Sequence, residues 1–507
     1  MSAQWKECCA GVSQRWVCII MTFFSLFCAY TIRVCLSIAI TEMVEPHNET
    51  SKFRDDTCPS EPAVVGNDTR THHTVAAIAA TAKGAGDLYQ WSEYTQGIVL
   101  SSFYWGYVIT HIPGGMIAEK FGGKYTLGFG ILGNAIFTIL TPLGVKYGGV
   151  WTLIFLRVMV GLAQGAAYPA LNVMLSHWCP IEERSKAGSF VYAGAPLGTV
   201  FATMTSGLIL RYSEAGWPGV FYFFGGLSVL WFVIWVVFCY NGPQEHPFIS
   251  DAEAKFLHEQ LSQHKHKKAP AVPWRHVLTS LPVWALVAAM IGHGWGFLTL
   301  ISDLPKYMSS VMKFSIENNG YLSSLPYLCM WLGSIVTSYA ADWLIVNKHM
   351  STKNVRKLGN SIASVGPAVF IVGASYAGCD RALVVAMIAI GMALMGAALP
   401  SMKVNGLDLS PNYAGSLMAV TNGIASFTGI LTPYIVGVLT PNQTLSEWRL
   451  VYWIIGVVFL ATNFVFVVWA DGDVQFWNDP DFLRKEKSDR KAKKAKEAVE
   501  LLAVQTK

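Results

Sequence analysis

Twelve nearly uninterrupted apolar runs divide the chain. They are Trp16–Met43, Gln96–Ile117, Tyr125–Val145, Val150–Trp178, Ala187–Leu210, Gly219–Tyr240, Trp284–Pro305, Gly320–Ile345, Leu358–Ala377, Ala382–Met402, Ala414–Thr440 and Leu450–Ala470. Each is long enough to cross the ~30 Å of hydrocarbon in a bilayer, which takes about 20 residues of helix. The pattern predicts an all-α polytopic membrane protein with twelve transmembrane helices. Six runs precede the polar, basic stretch Asn241–Ser280 and six follow it, so two six-helix halves are expected, at 16–240 and 281–470. The remaining segments are a cytoplasmic N-terminus (1–15), the linker (241–280), an outer loop near 45–90 and a charged tail (471–507). Inside the linker, Asp251 to Leu261 reads as a short amphipathic surface helix. The first run follows a short polar N-terminus without a small-residue cleavage site, and reads as a retained helix and not a signal peptide.

Composition narrows the class further. Of 507 residues, 53% are hydrophobic and 14% charged, against about 25% charged in soluble domains. The 13% aromatic content excludes a disordered chain. The net charge of +5 matters less than where the bases lie. Lys120, Lys124, Arg184, Lys186, the cluster Lys265, Lys267 and Lys268, then Lys348, Lys353, Arg356 and Lys357, and the tail Arg484–Lys496, all fall on one side. That side, with both termini, is expected in the cytoplasm. The chain's only Asn-x-Ser/Thr acceptors, Asn48, Asn67 and Asn442, fall on the other side, where glycosylation occurs. The ten cysteines form no scaffold pattern, and half of them lie inside the runs as small buried thiols. Cys58 and Cys379 are both outside and able to pair, at a distance the sequence leaves open. Cys8 and Cys9 precede the first span as palmitoylation candidates. The tail, alternating Lys, Ala and Glu, reads as a solvated or membrane-skimming helix and not a nucleic-acid arm.

Motifs then sharpen the picture. Gly114-Gly115-Met-Ile-Ala-Glu119-Lys120-Phe-Gly122-Gly123-Lys124 joins spans two and three. Its glycines allow a tight turn and close helix approach, and its acid and bases are suited to a charge lock. The segment resembles the signature loop of the major facilitator superfamily, with Glu119 in the usual Asp position. A weaker repeat, Ala341-Asp342-Trp followed by Arg356-Lys357, stands at the matching place in the second half. The chain also resembles the anion/cation symporters of solute carrier family 17, which include sialin, the vesicular glutamate and nucleotide transporters and the phosphate cotransporters. The resemblance rests on Tyr30-Thr-Ile-Arg33, Trp91-Ser-Glu93, Ser102-Phe-Tyr-Trp105-Gly106-Tyr107, Tyr168-Pro169-Ala170, Pro180-Ile-Glu-Glu183-Arg184, Leu304-Pro305-Lys-Tyr307 and Leu407-Asp408-Leu-Ser-Pro411-Asn-Tyr413-Ala414-Gly415. It runs from the first span to the eleventh and is nearest to insect members labelled as inorganic phosphate cotransporters.

Several residues are candidates for transport. Arg33 lies two thirds along the first span, where a charge needs a cavity or a partner, and its planar fork suits a carboxylate or phosphate. An arginine snorkelling to the interface is the plainer reading. The resemblance implies an anion-transport role for Arg33, and for Arg157 a role in packing, coupling or substrate contact. His111 and His293 are intramembrane imidazoles able to donate to an anion or carry a proton. Tyr104, Trp105, Tyr107, Trp295 and Tyr327 offer amphipathic rings for a cavity, or for core packing. Sialin-like relatives carry Glu and His eight residues apart in the fourth span; here these are Gln164 and Asn172, which do not titrate. Asp303, His111 and His293 are the titratable groups left for coupling.

The expectation is therefore a secondary transporter of inorganic phosphate or small organic anions, working by alternating access. Coupling to Na+ or H+ is expected, with no cofactor and no metal centre. Alternatives are a vesicular or lysosomal carrier of acidic amino acids, nucleotides or sialic acid, and a transport-inactive receptor on the same fold. No His-Glu-x-x-His, Gly-x-Ser-x-Gly or phosphate-binding loop points to an enzyme. A small anion and membrane lipid are the expected partners, for a monomer in the plasma membrane in preference to an internal one. Glu497-Ala-Val-Glu-Leu501-Leu502 resembles an acidic dileucine sorting signal, but reads more simply as an amphipathic tail turn.

Overall fold

The computed structural model describes residues 13–45, 58–59, 88–262 and 272–479, with Phe482 and Ser488 beyond them. Asn48, Asn67, Cys8, Cys9, the 265–268 lysines, the tail bases and the dileucine segment lie outside the described residues. So do the side chains of Glu119, Arg184 and Lys186.

Ten stretches are long and apolar enough to cross a membrane. One of them, Gly123–Trp178, is 56 residues long and folds back on itself at Gly149, whose φ of 61° and ψ of −152° leave the helical region. Gly130 and Gly133 on one arm meet Ala163 on the other, so the stretch is an antiparallel hairpin. Positive φ is open to glycine because it lacks a Cβ. The helix Glu93–Phe121 is also 29 residues long, though its Ser, Tyr, Gly and His residues dilute its hydropathy. Counting the hairpin as two, twelve rods build the bundle among the described residues.

We number them α1 (Gln14–Met43), α2 (Glu93–Phe121), α3 (123–148), α4 (150–178), α5 (Ile181–Tyr192 continued by Gly194–Tyr212) and α6 (Gly216–Phe238). After the linker come α7 (Leu281–Ser310), α8 (Ile316–Val346), α9 (Thr352–Ala374), α10 (Arg381–Met395 to Val404–Leu409), α11 (Ala414–Ser426 and Thr428–Leu439) and α12 (Leu445–Trp469). The chain enters α1 and leaves α12 at the same end of the bundle, called here the terminal end. The connection between α1 and α2 lies at the opposite, loop end. Large apolar side chains such as Phe129, Trp151, Val336 and Phe464 are exposed along the rods. A soluble protein rarely displays so much apolar surface, whereas lipid covers it at no cost.

The predicted linker helix forms at Asp251–Ser262 and buries Leu257. Glu253 on it caps α1: its carboxylate accepts from the Ser13 hydroxyl at 2.5 Å and from the backbone N–H groups of Gln14 and Arg15 at 3.0 and 3.1 Å. Those amides have no partner within the helix, and a carboxylate there also meets the positive end of the helix dipole.

Polar links between the first six helices and the last six gather at the loop end. Glu93 of α2 pairs with Lys306 of α7 and accepts from Gln443 between α11 and α12. Cys58, in the α1–α2 connection, forms a disulfide with Cys379 between α9 and α10. Its backbone N–H donates to Val311, and Arg381 donates to the Pro59 carbonyl. Gly97 of α2 lies against Pro433 and Gly437 of α11, and Gly207 of α5 against Gly320 of α8, closely enough that a Cβ would collide.

Candidate functional site

Arg33 sits in the middle third of α1 with its guanidinium among four rings. The carbon Cζ is 4.7 Å from the ring centre of Phe103, 4.8 Å from Tyr104, 5.0 Å from Tyr107 and 5.2 Å from Tyr30. Three of these rings come from α2 at spacings that place them on one face of the helix. Ring faces attract a cation, yet they do not neutralise it, and Arg33 Nε has no hydrogen-bond partner. Among the described residues no carboxylate forms an ion pair with the guanidinium; its nearest charged or polar neighbours are tyrosine rings. A cavity of about 20 Å³, room for a water, lies beside it, lined by Arg33, Ser37, Tyr104, Arg157 and Ser302 among others.

Arg157, on α4, borders the same cavity from the loop-end side. It is buried, rests against Cys35 and Phe221, and leaves Nε and Nη2 without partners. The structure thus brings both predicted arginines to one space. Tyr30 bonds Tyr168 through their hydroxyls at 3.0 Å, and Tyr168 stacks on Tyr192, whose hydroxyl donates to Asn172 at 2.7 Å. Gln164 is buried with Oε1 unpartnered. Tyr104 packs on Gly429 of α11, where a Cβ would stand 2.3 Å from the ring. Tyr327 is buried near Tyr104 and Asp303, with its hydroxyl unpartnered. Trp295 borders a smaller cavity with Thr299 and Thr432, while Trp105 is exposed.

His111 and His293 lie on the terminal-end side of Arg33. The Nδ1 atom of each is buried without a partner. His111 stands close to Gly423 of α11 and its ring is 5.4 Å from that of Tyr107. His293 stacks on Phe297. The structure adds a residue that the apolar pattern leaves out: Lys403, whose Nζ donates at 3.3 Å to Oδ1 of Asn422, the neighbour of the Gly423 that faces His111. The tenth apolar run ends at Met402, one residue before Lys403. The signal available was Pro400, which announces irregular helix; residues Leu399–Lys403 form a π-turn.

Asp303 is buried near the loop end beside Lys306 and Glu93, with Oδ2 unpartnered. It therefore belongs with the inter-helix ion pair and not with Arg33. In the signature loop, Gly122 has a φ of 92° and a Cβ there would strike Asn241. Asn241 Oδ1 accepts from the Lys124 backbone, and Lys124 Nζ donates to the Val236 carbonyl above the Tyr240 ring. Gly123 packs against Ala170 and Met174, and Gly115 against Pro169. Lys120 is exposed. In the second copy Asp342 is exposed, while Arg356 turns to Asp408, donating through Nε at 2.7 Å and Nη2 at 3.3 Å, and to the Pro400 carbonyl at 2.6 Å. Asn442 lies at the loop end, its amide donating to Glu447 at 2.8 Å.

The chain matches the Major Facilitator Superfamily over residues 22–433. It is 41% identical to sialin of Homo sapiens, over 93% of this chain and 91% of that protein. It is 37% identical to a Drosophila melanogaster protein named "Putative inorganic phosphate cotransporter", over 92% of this chain and 87% of that one. Among solved structures, the inward open conformation of the xylose transporter XylE from E. coli superposes with a TM-score of 0.63 at 12% identity, covering 90% of this chain and 97% of that one. That likeness concerns the fold alone.

Proposed function

The chain belongs to the Major Facilitator Superfamily and, within it, to solute carrier family 17, and on that footing we propose that it carries inorganic phosphate or small organic anions across a membrane. The family is one of transporters, so the chain is not an enzyme. The observation that carries the reading is Arg33, a guanidinium in mid-bundle surrounded by ring faces and lacking a carboxylate. A fixed charge at that depth costs several kcal/mol, roughly 2.5–3.5 kcal/mol on an insertion scale. A bound anion offsets that cost through two parallel charge-assisted hydrogen bonds.

In this proposal the terminal end faces the cytoplasm, as the lysines and arginines favour. The loop end is then the outer gate, closed by Glu93, Lys306 and the glycine contacts. Rocking of residues 16–240 against 281–470 opens each end in turn. Asp303, the buried carboxyl next to the gate ion pair, is placed to sense cation entry from outside. Asn442, at the loop end, would then face the outside and bear a glycan.

The identity to sialin supports a second reading, a proton-driven carrier of organic anions in an internal membrane. One experiment separates the two: uptake of phosphate, glutamate and sialate into proteoliposomes under imposed sodium or proton gradients. Sodium-driven phosphate entry supports the first reading and proton-driven organic-anion movement the second. Absence of flux for all anions would overturn transport and leave a receptor. Arg33→Ala is expected to abolish uptake while surface expression persists; normal uptake would remove Arg33 from the site.

A further inference from the structure

We propose that Lys403 is the anion contact contributed by the last six helices, and that Arg33 and Lys403 together select dianions, hydrogen phosphate or a dicarboxylate, over monoanions. The inference rests on the anion-carrier reading above and specifies its ligand.

Lys403 closes the π-turn Leu399–Lys403. A π-turn inserts an extra residue into the helix and re-aims the side chains that follow. Arg356 holds this turn in place by donating to the Pro400 carbonyl, while its other nitrogens are taken by Asp408. The ammonium of Lys403 meets the Asn422 amide oxygen, which fixes its position but adds no negative charge. Among the described residues no carboxylate forms an ion pair with Lys403 or with Arg33.

His111 relates the two cations to each other. It belongs to α2, one turn beyond Tyr107, whose ring lies 5.4 Å from its own and 5.0 Å from Arg33 Cζ, and on its other side it stands against Gly423, the residue after the Asn422 that holds Lys403. The two positive groups therefore stand on either side of His111, one from each set of helices. Of the described acids in the bundle, Glu93 pairs with Lys306, which also faces Asp303, Asp408 pairs with Arg356 and Asp471 with Lys353, while Glu42 lies at the loop-end turn of α1. A monoanion bound between Arg33 and Lys403 would leave one cation uncompensated away from water, which is costly. A dianion compensates both, and it joins the two sets of helices by doing so.

Phosphate and dicarboxylates share this chemistry, and the test separates them. Uptake would be measured at pH 7.5 for phosphate, succinate, glutamate and sialate, in wild type, Lys403→Gln and Lys403→Arg. The expected result is a wild-type KM at least tenfold lower for phosphate or succinate than for the two net monoanions. Whichever dianion is preferred identifies the natural class. Lys403→Gln is expected to raise the dianion KM tenfold or more with kcat little changed, and to erase the preference; Lys403→Arg restores it. A folding defect would show as a lowered thermal midpoint of Lys403→Gln without anion, whereas an unchanged midpoint with the dianion-induced shift lost assigns the effect to binding. An unchanged KM in Lys403→Gln would overturn the assignment of Lys403 while leaving the carrier intact. Equal wild-type handling of monoanions would overturn the dianion class. A wild type that moves none of the four would overturn the carrier reading itself, and this inference with it.

Discussion

At the scale of single residues, the bundle keeps a charge in mid-membrane by giving it rings instead of a counter-ion. Each cation–π contact is worth about 0.5–2 kcal/mol, enough to hold Arg33 in place but not to satisfy its Nε–H donor. The remaining demand is what an anion meets, and it depends on the planar fork. Arg33→Lys keeps the charge and loses the fork, so uptake is expected to fall about tenfold or more; transport at wild-type rate in reconstituted vesicles would show that charge alone suffices. The sequence made Arg33, Arg157 and the histidines visible because isolated polar residues stand out in apolar runs. Lys403 was hidden by lying one residue past the end of a run. Its partner Asn422 is uncharged and carries no linear signal.

At the scale of helices, glycines set the distances on which the site depends. Gly106 and Gly161 bring α2 and α4 into backbone contact: a Cβ at Gly106 would lie 2.1 Å from the Val158 carbonyl oxygen, and one at Gly161 1.9 Å from that of Phe103. Gly106 sits between Tyr104 and Tyr107 in sequence, so this contact also positions the rings around Arg33. Gly161→Leu is expected to destabilise the fold by about 1–3 kcal/mol through overpacking. It should also raise the substrate KM by displacing Tyr104 and Tyr107. Thermal unfolding and uptake kinetics on the same preparation check both effects. Helix existence was legible along the chain, because apolar runs of this length have few other fates. Helix interruptions were less so: the fold-back at Gly149 fell where a gap between runs was expected, but the π-turn before Lys403 arises from packing around Pro400 and Arg356.

At the scale of the whole molecule, the two sets of helices meet at the loop end through a buried ion pair, close glycine contacts and a disulfide. Removing one partner of a buried pair costs about 3–5 kcal/mol because the other charge is stranded. Lys306→Ala is therefore expected to weaken this closure. With Leu100→Cys as reporter beside the Arg33 cavity, labelling by a membrane-impermeant thiol reagent added at the loop-end side should accelerate, and an unchanged rate would exclude the pair as a gate. Apolar runs, the distribution of bases and a glycine-rich loop determined by themselves that this chain is an all-helical membrane protein of its superfamily, because lipid imposes its demands on each segment separately. Tertiary structure alone decided that Cys58 reaches Cys379 across 321 residues, that Arg356 pairs with Asp408 while Asp342 stays exposed, and that His111 stands between Tyr107 beside Arg33 and Gly423 beside the Asn422 that holds Lys403. The reason is physical. Burial in lipid is a property of a segment, whereas charge compensation is a property of neighbours, and neighbours exist only once the helices have packed.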